Sequence, residues 1–283
     1  MQVSTDIDEI LNLRVFEDRL ATLQKEYQSA QPYANIVLDD VLTAPALEAA
    51  YAGFAALDLT DWTNYLHVNE RKFANSNRDT WGATLREVHD ALSTPRFLEF
   101  LSQLTGIPGL RADPALDGGG LHRSVHGAHL NIHADFTAHH TNQHWRRRVN
   151  LLLYLNRDWQ PDWGGELELW DRDVSACQAK VAPLGNRIFL FTTDESSFHG
   201  HPEPLNFPEG IARQSMALYY FTEEAHPLVK STNYRARPGD GIKRLWIYLD
   251  KKALAGYDVF KRRFKLSDKA VSNMLGKFSR KKK

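Results

Sequence analysis

The chain has 283 residues, 42% of them hydrophobic and 25% charged, with 35 Lys or Arg against 35 Asp or Glu. That is enough for one large domain with a sizeable core, in proportions ordinary for a globular protein. No apolar run approaches the roughly 18 residues of a membrane span, and the single Cys177 excludes an intrachain disulfide, so with a polar, acidic amino terminus the expected home is a reducing cytoplasm.

The first element is helical by its spacing. Ile10, Leu13, Phe16, Leu20, Leu23 and Tyr27 recur every three or four residues, which predicts an amphipathic helix over 7–28 capped by Thr5 or Asp6. Pro32 ends it, 33–38 reads as a strand, and a helix over 44–57 begins near Thr43-Ala44-Pro45. The polar stretch 58–80 predicts loop and short strand. Helices follow at 82–92 and 95–105, and Gly106 with the turn-rich Asp113 to Gly120 closes the region.

From Gly120 the texture changes to short β-rich runs separated by turn signals. Eight strands are predicted, at 121–125, 129–134, 147–155, 165–170, 177–183, 186–192, 198–202 and 212–221. That spacing suits a barrel or double-sheet jelly roll. Beyond it, Leu245 to Leu249 is strand-like, and the end is basic: residues 261–283 hold ten Lys or Arg against the single acid Asp268. The tail is therefore +9 and the body −9, a balance that suits an anionic partner such as RNA, a ribosome or a lipid surface, or a solvated tail lying on the acidic body.

The chemistry concentrates in Leu130-Asn131-Ile132-His133-Ala134-Asp135-Phe136. On a strand, side chains at i and i+2 share a face, so His133 and Asp135 converge on one side. A third ligand must come from elsewhere, with His199 the candidate and His201 its rival on the same strand face. Two histidines and one carboxylate with open positions opposite form the facial triad of non-haem Fe(II) sites. Arg213 and Ser215, fourteen and sixteen residues beyond His199, share a face of the last strand. A guanidinium beside a hydroxyl suits a carboxylate.

Five ordered motifs now carry a family resemblance: His133-Ala134-Asp135-Phe136, Tyr154-Leu155-Asn156-Arg157-Asp158-Trp159, Gly164-Gly165-Glu166-Leu167, Ser197-Phe198-His199-Gly200 and Arg213-Gln214-Ser215. Over roughly 115–222 the chain resembles the prolyl 4-hydroxylase-like branch of the Fe(II)/2-oxoglutarate dioxygenases. The resemblance implies a double-stranded β-helix core, Fe(II), 2-oxoglutarate and O2, with ascorbate as supporting reductant. It implies hydroxylation of an unactivated C–H bond with release of succinate and CO2. It favours His199 over His201, and it places Tyr154, Leu152 and Leu167 around the co-substrate, with Tyr154 beside Arg213. Leu121-His122-Arg123-Ser124 departs from the pattern, offering no tyrosine to the co-substrate. Asp135 is the carboxylate that halogenating relatives have lost, so its presence favours hydroxylation.

Substrate contacts are expected from the turn after the metal motif, with His139, Trp145 and Arg147 the candidates. The family implies a prolyl residue of a peptide or protein; a small metabolite or sugar is the alternative substrate. A non-catalytic metal- or ligand-binding barrel and a cupin-like Zn(II) or Mn(II) enzyme are the alternative classes. The expected architecture is α+β, a double-stranded β-helix (jelly roll) with N-terminal supporting helices and a basic helical carboxyl end. Its parts are a helical support region with an edge strand at 1–114, the dioxygenase core at 115–222 and a carboxyl extension at 223–283.

Overall fold

The structure is a computed structural model that describes residues 6–60, 62–66, 68–228, 232–241 and 246–248. The basic end at 261–283 lies outside the described residues. So does part of the strand expected at 245–249, where Trp246 to Tyr248 are helical instead.

The helices at the amino end are α1 (Ile7–Ile10), α2 (Leu13–Glu17) and α3 (Leu20–Ser29). One continuous helix was expected here, and tertiary contacts break it. Leu11 is extended, with φ −114° and ψ 139°, and bridges to Leu42. The Asn12 side chain donates to the carbonyls of Asp40 (2.7 Å) and Leu42 (3.2 Å), and its backbone N–H donates to Val41 (2.8 Å). These bonds anchor a neighbouring loop at the cost of the helical ladder. Asp6 supplies the cap, its Oδ1 accepting from the N–H of Asp8 at 3.1 Å, while Thr5 lies outside the described residues.

Strand β1 (Asn35–Asp39) leads to α4 (Ala44–Ala55), which starts at Thr43 with Pro45 in its first turn. Strands β2 (Thr63–Leu66) and β3 (Arg71–Asn75) form a hairpin in the polar stretch. Helices α5 (Gly82–Ala91) and α6 (Pro95–Thr105) follow, α6 being capped by Thr94 and closed by Gly106 at φ 72°. After the short β4 (Arg111–Ala112) come the eight expected strands: β5 (Gly120–Ser124), β6 (Leu130–Ala134), β7 (Trp145–Tyr154), β8 (Leu167–Trp170), β9 (Cys177–Val181), β10 (Arg187–Thr192), β11 (His199–His201) and β12 (Arg213–Glu223). A two-residue β13 (Asn233–Tyr234) adds an edge that the sequence did not announce.

All pairings are antiparallel, in two sheets. The larger runs β1-β10-β7-β12-β5-β3-β2, with β4 also on β12, and the smaller runs β13-β6-β11-β8-β9. Alternation divides the long central strands between two environments. Val149, Leu151 and Leu153 of β7, with Met216, Leu218 and Tyr220 of β12, join the main core, which also holds Leu85, Leu101 and Leu104 of the helices. The opposite parity, Leu152 and Tyr154, packs with Phe189 and Phe191 against Leu167 and Leu169 of the smaller sheet. Burial on both faces explains why β7 reads as a nearly continuous apolar run. One face grips the helices, and the other lines a barrel.

Candidate metal centre

The smaller sheet brings the metal-motif residues together. Antiparallel pairing sets His199 of β11 directly opposite His133 of β6, with ring centroids 4.5 Å apart. Asp135 Oδ1 lies 3.3 Å from His133 Nε2, and its Oδ2 lies 3.5 Å from His199 Nε2. One potential ligand atom from each residue falls within 4.8 Å of the others. The rival His201 lies outside this group: the antiparallel course of β11 carries it away from Asp135, to pair with Leu130.

The surroundings prepare these side chains for a cation. His133 Nδ1 is 2.9 Å from the Asn131 carbonyl, and His199 Nδ1 is 2.9 Å from the Ser197 carbonyl. Each Nδ1–H donates to a carbonyl, which leaves Nε2 as a free lone pair facing its partners. Burial, with His133 and Arg147 nearby, lowers the His199 pKa to about 4 despite Asp135, so the ring is neutral at pH 7. Burial pushes the Asp135 carboxyl up, but Arg147, His199 and His133 outweigh it and hold the group well below the usual carboxylate range. Two imidazoles that turn Nε2 inward and an ionised carboxylate fit a divalent metal of the Fe(II) type.

Asp135 is itself held from behind. Its Oδ2 accepts from Arg147 Nη2 at 2.8 Å and from Asn150 Nδ2 at 2.7 Å. Asn150 in turn accepts from Arg147 Nε at 2.6 Å and from Thr193 Oγ1 at 2.8 Å. The Arg147 guanidinium lies over the Tyr219 ring, 3.2 Å from its centroid. Arg147 was expected at the substrate mouth, yet it is 1% exposed and committed to Asp135. His139, expected there too, is buried with Nε2 3.3 Å from Asp113. Trp145 is only partly buried, packed on Phe221 with the Arg111 guanidinium over its ring.

Across the barrel, Arg213 is 7% exposed. Its Nε donates to the Gly165 carbonyl at 3.0 Å and its Nη2 faces the Tyr154 hydroxyl at 3.4 Å. Gly165 is needed here: its φ is 76°, and a Cβ would sit 2.6 Å from Leu205 Cδ2 and 3.2 Å from Arg213 Cδ. No carboxylate pairs with Arg213 among the described residues, so two of its five donors are used. Ser215 lies opposite Tyr154 and is buried. Leu152 and Leu167 pack with Tyr154. Burial lowers the Arg213 pKa and raises that of Tyr154, so the phenol stays protonated.

Three contributors escaped the sequence reading. Asn150 shares the parity of Leu152 and Tyr154, so a polar residue facing inward on an apolar strand was its available signal. Tyr234, from β13, stacks on the His133 ring at 5.2 Å and 28°. Lys72, from the polar hairpin, reaches Glu70 at 3.1 Å on the same inward side. Neither of the last two had a signal in the motifs.

Comparison with known proteins agrees with this geometry. The profile of the 2OG-Fe(II) oxygenase superfamily matches residues 119–221. The mouse (Mus musculus) prolyl 3-hydroxylase OGFOD1 is 24% identical over 196 residues, 67% of this chain and 33% of that protein. The chain thus spans about a third of the length of this curated relative. Among solved structures, a prolyl hydroxylase from Trichoplax adhaerens, in complex with a hypoxia inducible factor oxygen degradation domain peptide, superposes with TM-score 0.52 at 15% identity. It covers 76% of this chain and 95% of its own. Prolyl 4-hydroxylase from Phytophthora capsici superposes with TM-score 0.50 at 18% identity, covering 93% and 77%. At these identities the likeness establishes the fold, a double-stranded β-helix within an α+β protein. Residues 119–221 thus match the 2OG-Fe(II) oxygenase superfamily, and the relatives that this chain resembles are prolyl hydroxylases.

Proposed function

We propose that the chain is an Fe(II)- and 2-oxoglutarate-dependent hydroxylase acting on a prolyl residue of a peptide or protein. The observation that carries this reading is the buried Arg213 guanidinium, without a carboxylate partner among the described residues, across the barrel from the His133–Asp135–His199 cluster. A buried unmatched cation is costly and calls for an anion. A keto diacid satisfies both ends, one carboxylate at Arg213 and Tyr154 and the other reaching the metal.

His133, Asp135 and His199 would hold the metal, leaving three positions open. When bound, Fe(II) supplies the O2 chemistry that oxidises the keto acid and the substrate C–H bond. One O2 and one 2-oxoglutarate are consumed per C–H hydroxylated, giving succinate, CO2 and the alcohol. The protein's own residues bind and orient. Arg213, Tyr154 and Ser215 fix the distal carboxylate; Leu152 and Leu167 flank the chain of the acid and exclude water; Arg147 and Asn150 fix the orientation of Asp135.

The prolyl hydroxylases that this chain resembles support a prolyl target. The test is succinate release by protein supplied with Fe(II), ascorbate, 2-oxoglutarate and O2, followed by mass spectrometry of proline-containing peptides. Gain of one oxygen on proline, at C3 or C4, is expected, with no turnover in Asp135→Ala. Turnover that survives in Asp135→Ala would overturn the reading. The basic 261–283 segment suits docking to an anionic partner, and such binding should weaken steeply as salt rises.

A further inference from the structure

The barrel interior carries basic groups that the metal-facing cluster and Arg213 do not use. The register Ser215↔His122 and His122↔Ala74 puts His122 on the inward face of the larger sheet. Lys72, two residues before Ala74, shares that face. On the smaller sheet His201 is 5% exposed, and its Nδ1 has no hydrogen-bond partner.

These three side chains share one space. Ala74 pairs with His122 and His122 with Ser215, so Lys72, His122 and the Arg213–Ser215 face lie along one wall of the larger sheet. Lys72 reaches Glu70 at 3.1 Å, Glu70 bridges to Leu130, and Leu130 pairs with His201, so the imidazole of the smaller sheet stands beside the Lys72–Glu70 pair. The electrostatic coupling of Lys72 to both imidazoles agrees with this placement.

Charge matching inside the barrel is incomplete. Asp135 answers Arg147 at 2.8 Å and Glu70 answers Lys72 at 3.1 Å, while Arg213 has no carboxylate among the described residues. Glu70 occupies one of the three donors of the Lys72 ammonium. After one carboxylate settles at Arg213, Glu70 is still the only carboxylate paired with Lys72 among the described residues, and the His201 Nδ1 still has no partner there. The Lys72 ammonium also lies 5.5 Å from the centroid of the Tyr65 ring, so the hairpin that carries it keeps it at this wall.

We propose that Lys72, His122 and His201 form a second carboxylate subsite inside the barrel, separate from the one at Arg213. The inference rests on the hydroxylase reading and deepens it. Two sources present the same chemistry: the keto-acid end of 2-oxoglutarate, or an acidic group on the substrate. An ammonium supplies the point charge, and the imidazoles supply donors of fixed direction.

The test is isothermal titration of the full-length protein loaded with Mn(II). Wild type, Lys72→Met, Lys72→Arg, His201→Asn and Arg213→Met are each titrated with 2-oxoglutarate. Succinate is then titrated into protein saturated with 2-oxoglutarate. If the subsite holds the co-substrate, Lys72→Met and His201→Asn weaken 2-oxoglutarate about tenfold or more (1.4 kcal/mol), and Lys72→Arg restores most of it. If it holds the substrate, 2-oxoglutarate affinity is unchanged, and succinate binds the saturated wild type but not Lys72→Met. Unchanged 2-oxoglutarate binding in both variants, with succinate bound equally by wild type and Lys72→Met or by neither, would overturn the subsite. Loss of 2-oxoglutarate in Arg213→Met would then leave the hydroxylase reading standing. Wild type that takes Mn(II) but no 2-oxoglutarate would remove that reading and the subsite together. Matching thermal melts across the variants exclude misfolding as the cause.

Discussion

Arg147 shows how far one side chain's role depends on what the fold puts beside it. In the sequence it stands in a run of three arginines after a polar turn; in the structure its guanidinium caps the Asp135 carboxylate and lies on Tyr219. Replacement of an outer partner of a ligand typically costs about 10–100-fold in metal affinity. Arg147→Met should therefore weaken Mn(II) binding by about that factor, read by competition with a chelator, while His139→Gln should leave it nearly intact. Equal affinities in Arg147→Met and wild type would remove Arg147 from the site. Asp135 and His133 needed little such context: β6 ends at Ala134, and the alternation carried one residue past its end keeps both side chains on one side.

At the scale of elements, α5 and α6 tie the large sheet to its support. Leu101 is fully buried in the main core, so Leu101→Ala should cost about 2–5 kcal/mol in a urea titration. Metal affinity should hardly move, because the site lies on the opposite face of the large sheet. His89 on α5 gives a pH signature. It is buried against the Trp81 ring, with centroids 5.8 Å apart, and burial lowers its pKa although Asp90, 3.1 Å from Nδ1, works the other way. Its folded value thus lies below that of the unfolded chain, roughly 6.5. The unfolded state takes up the proton more readily, so this contribution is complete above about pH 6.5 and is lost as the pH falls below it. The urea midpoint should drop between pH 7 and pH 5, with a shallower slope in His89→Leu; an identical slope would exclude His89 as a source. The break at Leu11–Asn12 is the counterexample to periodicity. The apolar spacing of a helix persists through it, but Asn12 is taken by the loop at 40–42.

Across the whole molecule, the hairpin β2–β3 joins the two sheets beside the metal strand. Asn131 N–H donates to the Asn69 carbonyl at 2.8 Å, and its side chain donates to Val68 O and Asn69 Oδ1, both at 3.1 Å. The Asn131 carbonyl also accepts from His133, so one residue ties the hairpin to a metal-facing ring. Asn131→Ala leaves these buried groups short of a donor, at about 1–3 kcal/mol. Faster amide exchange is expected in residues 71–75 and 130–134, with the helices unaffected; uniform exchange throughout would count against a local stitch.

The sequence by itself determined the eight core strands, the His133–Asp135 pair and the Arg213–Ser215 face. These follow from local periods of two and from motifs whose residues are neighbours along the chain. Only the tertiary structure set His199 directly opposite His133, because that register joins two segments far apart in the chain. It alone buried Arg147 and His139, broke the first helix, set Tyr234 against His133 and brought Lys72 from a polar hairpin to the barrel wall. Each of these depends on contacts between segments distant in sequence, where packing and hydrogen bonding override local preference and no short-range pattern records the partner.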